Sequence, residues 1–436
     1  FKEFKLKATI KGKNFNTQNT DNINKKLNIR AFSDGYVQIA NLTSEKLNIS
    51  KITFLETKDC SNCNEEFFFI DKDIYPSSYN KINQSNFKIN LRNKRYHVAK
   101  IEYLDENKNN FEEKILIELY NLRPSIMLKK FQTKKPDFLV QGPNDFIIPT
   151  GNYFLTEPLI ISNNKNLIIE KGVQLKFNDD AYIYIENGSI EILGTKKFPI
   201  ILTSVDKNKF WRGIYVNSQE VNQKLSKLTF TKISNVKYFD NQKIQLTGAI
   251  NFINSKVLIE NSDFINSAAE DFLNFVNSKF ELNNLKLKYA KSDGIDFDFS
   301  DGQILNSSFD NIQGDAIDTS GSNVTAKKIF FDGIGDKAIS AGEESSLLIE
   351  DLEISNSYIG IASKDKSFVN GKDINVKKCI KFDFAVYQKK SYFSGASMNL
   401  KNSKGCNSSL VQNGSILTFN NENIKSQSVN VKDLYN

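Results

Sequence analysis

The sequence predicts an all-β chain, a right-handed parallel β-helix solenoid preceded by an antiparallel β-sandwich. Apolar pairs recur at a nearly fixed interval through the second half of the chain. Short runs of two-residue alternation fill the first 125 residues, and no convincing helical period separates them.

The interval is the stronger signal. Aligning Ala249-Ile250, Phe272-Leu273, Gly294-Ile295, Ala316-Ile317, Ala338-Ile339 and Gly360-Ile361 gives steps of 23, 22, 22, 22 and 22 residues. A leucine-rich repeat has a similar period, but its Leu-x-x-Leu-x-Leu-x-x-Asn frame is missing. Each repeat holds runs such as Val257–Glu260, Leu347–Glu350 and Asp373–Val376, separated by Asn, Ser, Gly and Asp, which reads as three strands per coil. One coil cannot bury its own inward side chains. Stacked coils pair every strand in parallel at about 4.8 Å and pile like residue on like residue. Phe309 over Phe331 and Ile312 over Ile334, each 22 apart, are the expected ladders. The last coil needs a cap, and Asn407 to Asn436 is the candidate.

Ahead of the repeat, the segments Phe4–Ile10, Leu27–Phe32, Tyr36–Asn41, Leu47–Leu55, Glu66–Ile70, His97–Tyr103 and Ile115–Tyr120 alternate as half-buried strands do. Short strands in succession predict a β-sandwich over residues 1–125. Pro124, Pro136 and Pro143 then interrupt any periodic element, so residues 126–144 read as a linker and 145–436 as the solenoid with its cap.

Composition excludes several classes. The net charge of +7 comes from Lys interspersed with Asp and Asn, without the basic stripe of a nucleic-acid binder. No segment approaches the roughly 20 apolar residues that cross a bilayer. The chain starts at Phe1, as expected of a mature form or part of a longer polypeptide. The abundance of Asn, Ile and Lys fits codon bias, with each Lys and Asn read as solvated surface. Of four cysteines, Cys379 and Cys406 lie 27 apart, near one coil length, where stacking brings Cα atoms within bridging range. Cys60 and Cys63 form a Cys-x-x-Cys in a polar loop, and a chain with a single His lacks ligands for a zinc site. Two disulfides, Cys60–Cys63 and Cys379–Cys406, imply an extracytoplasmic setting; buried or free thiols are the alternative.

The run Ile147-Ile-Pro-Thr-Gly-Asn-Tyr, then Leu167–Phe177, Asn187–Thr195, Phe198–Ser204 and Trp211–Val216, resembles the entry coils of pectin-lyase-like parallel β-helix proteins. Asp34–Thr43 resembles the opening of immunoglobulin or lamin-tail domains. Leu246–Ile250, Ser292–Asp296, Asp336–Glu343 and Gly360–Asp365 resemble the β-helix segments of bacterial surface proteins, some associated with spore-coat CotH-like kinase domains. No glycine-rich loop or metal-binding acidic motif accompanies them, so kinase activity is not implied. The pectin-lyase-like fold hosts lyases, hydrolases, epimerases and passive adhesins, and fold alone does not choose among them. The Asp-Pro-His-Asp motif of the epimerases and alginate lyases is absent. His97, in a strand-like context of the first domain, reads as a strand residue.

One constellation remains. Asp271, Asp293, Asp315 and Asp336 step by 22, 22 and 21, and Asn274, Asp296, Asp318 and Ser340 by 22 each time. With Ile295, Phe297 and Phe299 inward, Asp296 and Asp298 face solvent together. Three readings stay open: Asp side chains capping coil corners, Ca²⁺ ligation by Asp293, Asp296, Asp315 and Asp318, or catalysis by Asp296, Asp298 and Asp318. Lys337, Lys364 and Arg212 offer positive charge, in keeping with the Arg or Lys that lyases of the resembled fold use beside Ca²⁺. Trp211 offers either a flat face for a sugar or a packing residue. Glu343, Glu344 and Lys364-Asp-Lys read as solvated loop charges. A complete scaffold without a complete active site points first to a non-catalytic glycan- or protein-binding module, secreted or at the cell surface. A polysaccharide lyase or glycoside hydrolase using the Asp patch is the second expectation, and a structural coat or filament component the third.

Overall fold

The computed structural model describes residues 26–434 apart from 33–35, 42, 44, 57–64, 75–78, 84–97, 121–134, 162–163, 219–223, 240–245 and 392. The predicted strand Phe4–Ile10, His97 and the Cys60–Cys63 pair lie outside the described residues. The chain divides into two compact units, 1–130 and 131–436.

The first unit holds two four-stranded sheets. In one, Glu65–Ile74, Leu47–Leu55, Val98–Leu104 and Asn110–Leu116 pair antiparallel in that order. In the other, Tyr79–Asn83, Tyr36–Asn41 and Leu27–Phe32 are antiparallel, and Glu118–Tyr120 adds in parallel. Alternate residues from both, among them Leu27, Ile29, Val37, Ile52, Phe54 and Ile101, meet in one core, as period-2 patterning requires.

The second unit is the solenoid. Three parallel sheets run along it, and the front sheet carries the register Leu159, Ile183, Ile214, Ile250, Leu273, Ile295, Ile317, Ile339, Ile361, Phe384 and Ser409, eleven rungs in succession. The predicted alignment from Ile250 to Ile361 is the observed one. Phe309 and Phe331 are paired and stacked at 5.2 Å, and Ile312 pairs with Ile334. Val140–Gln141 pairs antiparallel with Asp145–Ile148 at one end, so sheet pairing begins inside the stretch expected to be linker. At the other end, Ser409–Val411 and Ile416–Phe419 still extend the parallel sheets before the antiparallel Glu422–Asn423 and the 3-10 turn Val431–Leu434. No helix among the described residues is long and apolar enough to cross a membrane.

The Asn residues are structural, contrary to their reading as solvated surface. Asn254, Asn277, Asn261, Asn284 and Asn306 all have φ between 47° and 55°. That left-handed conformation suits Asn better than most non-glycine residues. Their amides also stack: Asn277 donates to Asn254 at 2.7 Å and Asn284 to Asn261 at 2.7 Å. At the following corner Ser255, Ser278, Ser300, Ser322, Ser345 and Ser367 form a buried ladder in which each backbone N–H donates to the next hydroxyl at 2.9 to 3.1 Å. Ser300→Ala strands the Ser278 N–H in a buried corner. We expect it to lower unfolding free energy by about 1–3 kcal/mol in denaturant titrations.

Candidate functional site

The outer face of the front sheet is covered at both ends and acidic between them. Strand alternation sends Ile295 and Phe297 into the core and Asp296 and Asp298 outward. One outward column reads Tyr184, Tyr215, Asn251, Asn274, Asp296, Asp318, Ser340, Ala362, Ala385, Leu410. At its N-terminal end Tyr184 and Tyr215 stack at 4.6 Å beneath the buried Phe239, and Tyr184 donates its hydroxyl proton to the buried Glu186. At its C-terminal end Ala362, Ala385, Tyr387 and Leu410 pack with Leu434, Val429 and Val431 of the tail. Asn274, Asp296, Asp318 and Ser340 occupy the interval between.

The two predicted acidic rows exist: Asp271 pairs with Asp293, Asn274 with Asp296, Asp296 with Asp318 and Asp318 with Ser340. They are more sheltered than expected. Asp271 and Asp315 are buried, and Asp293, Asp296, Asp298 and Asp318 are half-buried. Phe299, expected to point inward, is instead half-buried in a left-handed turn at φ 49°.

The rows divide by role. Asp293 Oδ1 accepts the Asp315 N–H at 2.8 Å, and Asp315 Oδ1 accepts the Lys337 N–H at 2.9 Å, so both cap the next coil. Asp293 comes so close to Gly314 that a Cβ there would lie 1.9 Å from its Oδ1; only glycine admits the cap. The side-chain carboxyls of Asp296 and Asp298 accept no hydrogen bond from any described residue. Burial, then the neighbouring carboxyls, pushes Asp293 up to about 8, Asp298 to about 8, and Asp296 well above the usual carboxylate range. Asp271 rises to about 6, chiefly through burial.

Asp315 behaves oppositely. Burial alone would raise it, but the Lys337 and Lys364 ammonium groups outweigh burial and hold it below its ordinary value. Lys337 Nζ sits 3.1 Å from Asp315 and 2.5 Å from Asp336, and Lys364 Nζ lies 3.8 Å from Asp318. Both lysines are buried, so Lys364, unlike the exposed Lys366, departs from the reading of Lys364-Asp-Lys as solvated loop charge. Glu343, also assigned to solvent, pairs with Lys390, and burial raises its carboxyl. Asp365 is 1% exposed and accepts the N–H groups of Lys389 and Lys390 at 2.6 and 2.7 Å. Glu343, Asp365 and Lys390 were therefore missed; Lys390 comes from a coil insertion that the repeat does not register.

Four other expectations are corrected. Trp211 offers no face to a ligand: it is 0% exposed, stacked at 3.8 Å on Phe177, and its indole N–H donates to the Ser234 carbonyl. Arg212 is not brought to the patch. It binds Asp180 at 2.6 Å, three rungs from Asp296. The expected bridge between Cys379 and Cys406 is not formed: both thiols are free, and the buried Asp383 takes the Cys406 thiol and backbone N–H instead. For calcium, no group of three or more His, Cys, Asp or Glu among the described residues is arranged to hold a metal ion. The Lys337 ammonium occupies the position beside Asp315 that a cation would need.

Raised carboxyls make stability pH-dependent. A group with its folded pKa above its unfolded value stabilises below the unfolded pKa and loses that contribution as pH rises through the folded one. Asp271, Asp293 and Asp298 share this sign between pH 4 and 8. Lys390, lowered to about 8 by burial, acts in the opposite sense above pH 8. Thermal melts are expected to show a lower Tm at pH 8 than at pH 5, with a smaller difference in Asp293→Asn.

Among solved structures, the chain is similar to an alginate lyase from Paenibacillus sp. str. FPU-7 (10% identity, 59% of this chain and 99% of that one, TM-score 0.27). It is also similar to the periplasmic alginate epimerase AlgG (7% identity, 70% and 83%, TM-score 0.30) and to the catalytic domain of a GH87 alpha-1,3-glucanase in complex with tetrasaccharides (9% identity, 88% and 89%, TM-score 0.38). No curated protein sequence matches. Residues 144–345 match the family model described as a pectate-lyase like beta helix domain. The coils that carry Asp271, Asp293, Asp296, Asp298, Asp315 and Asp318 lie within the residues that match this model.

Proposed function

We propose that the outer face of the front sheet cleaves a polysaccharide by hydrolysis, with Asp296 as general acid and Asp318 as nucleophile. The observation that carries this reading is a pair of carboxyl groups on adjacent rungs in opposed environments. Asp296 has neither hydrogen bond nor counterion and is pressed toward its protonated form by burial and by Asp298. Asp318 faces the Lys364 ammonium and accepts the Thr319 N–H at 3.0 Å. An acid without a counterion beside a carboxylate that faces an ammonium is the division of environments on which glycosidase acid and nucleophile roles rest. The rung spacing of about 4.8 Å is near the roughly 5–5.5 Å carboxyl separation of retaining enzymes, so the product keeps the anomeric configuration of the substrate. The pectate-lyase-like character of the domain supports a glycan as the ligand, and a location outside the cytoplasm accompanies it.

The test is incubation with a panel of neutral, amino and uronate polysaccharides, following reducing ends and absorbance of unsaturated products, with anomers read by NMR. Reducing ends without unsaturation, and retention, are expected. Unsaturated product would make the face a lyase site, and inversion would overturn the pairing of Asp296 with Asp318. Binding without turnover would leave it a non-catalytic glycan-binding surface.

A further inference from the structure

Resting on the reading of this face as a glycan site, we infer that its N-terminal half selects a cationic sugar, an amino-sugar polymer whose ammonium group sits among Asp271, Asn274 and Asp293. The two halves of the face differ in charge partners. Lys337, Lys364 and Lys390 all pair with carboxylates of the C-terminal rungs. Among the described residues, no Lys or Arg pairs with Asp271, Asp293, Asp296 or Asp298. Four carboxyl groups on two neighbouring rungs therefore stand without a cation.

An independent feature points to a donor-bearing ligand there. Asn274 is 5% exposed and its Oδ1 has no hydrogen-bond partner. The orientation of that amide is fixed, because its Nδ2 donates to Asp271 Oδ2 at 3.2 Å and to Thr247 Oγ1 at 3.1 Å, and a carboxylate takes only a donor. What remains is an orphaned acceptor beside two acceptors, a set completed by a group with several N–H donors and a positive charge. The arrangement does not suit a bare metal ion, for which no group of three His, Cys, Asp or Glu is arranged among the described residues. An ammonium on a sugar ring brings three donors. Asn274 also lies one rung, about 4.8 Å, from Asp296 and two rungs from Asp318, on the order of the length of one to two sugar residues. The raised Asp293 carboxyl agrees with this, since an arriving ammonium supplies the positive charge that the uncompensated carboxyls lack.

Calorimetry at pH 6 in low salt, where a sugar amine is largely protonated, compares glucosamine, N-acetylglucosamine and glucose hexamers on the whole chain, with spermine as a polyamine control. The glucosamine hexamer should bind at least 10-fold tighter than the other two. Asp293→Asn and Asp271→Asn, near-isosteric and checked by thermal melts, should each reduce that preference severalfold, and a failure of both folded variants to do so overturns the placement. Equal affinity for the three hexamers, or preference for a neutral one, overturns the inference while the hydrolytic reading stands on its turnover assay. Spermine binding as tightly as the hexamer would make this a general polycation site and overturn the assignment to a sugar. Absence of both binding and turnover across the panel would remove the hydrolytic reading as well.

Discussion

Asp296→Asn is expected to lower polysaccharide turnover by roughly 10²–10⁴-fold, the usual worth of a positioned general acid, and Asp318→Asn by at least as much. The two variants should then part company. A substrate with an activated aryl leaving group needs no proton on departure, so it should restore much of the rate to Asp296→Asn and none to Asp318→Asn. The pH profile gives a second separation. Asp296 holds its proton well above the ordinary carboxylate range because it is sheltered from water and surrounded by Asp298, Asp271, Asp318 and Asp293. Turnover by the unmodified chain should therefore persist past neutral pH and fall on an alkaline limb that Asp296→Asn abolishes. Equal loss on activated and natural substrates in both variants would assign the acid elsewhere, with Asp298 next in line since it is raised to about 8 by burial and by Asp271.

Much of this architecture was legible because a solenoid converts sequence interval into spatial contact. The step from Ile295 to Ile317 to Ile339 is a register, and one residue's slip would turn every Asp of the face into the core. The same interval placed Asp296 beneath Asp318 without any knowledge of side-chain geometry. What the interval does not contain is burial of the outer face. Phe239 and the tail residues Val429, Val431 and Leu434 cover its two ends from outside the repeat, and the Lys389 and Lys390 N–H groups, from a loop outside the repeat, bind the buried Asp365. Insertions are equally silent: Lys390 reaches Glu343 across 47 residues from a loop with no periodic counterpart. Trp211 and the Asn residues failed for another reason. Their chemistry permits both surface and interior roles, and only the corner conformation, with Asn277 at φ 47° stacked on Asn254, decides between them.

Lys337→Met should be the most damaging single change to stability among the site residues. Lys337 and Asp315 are 2% and 6% exposed, and the ammonium offsets a carboxylate that also caps the Lys337 backbone N–H. Removing one member of a buried pair leaves an uncompensated charge, at a cost of about 3–5 kcal/mol, whereas replacing both members with apolar residues is often neutral. Lys337→Met with Asp315→Leu should accordingly recover most of the loss, less the capping bond. The pH dependence carries the sign. With Lys337 present, Asp315 is held below its ordinary value and its contribution disappears only in strong acid. Without Lys337, burial dominates, the folded pKa of Asp315 moves above the unfolded one, and stability falls as pH rises from about 4. Denaturant titrations of Lys337→Met should therefore show a smaller deficit at pH 4 than at pH 8. A deficit independent of pH would mean that the lysine acts through packing of its aliphatic stem and that Lys364 already offsets the Asp315 charge without it.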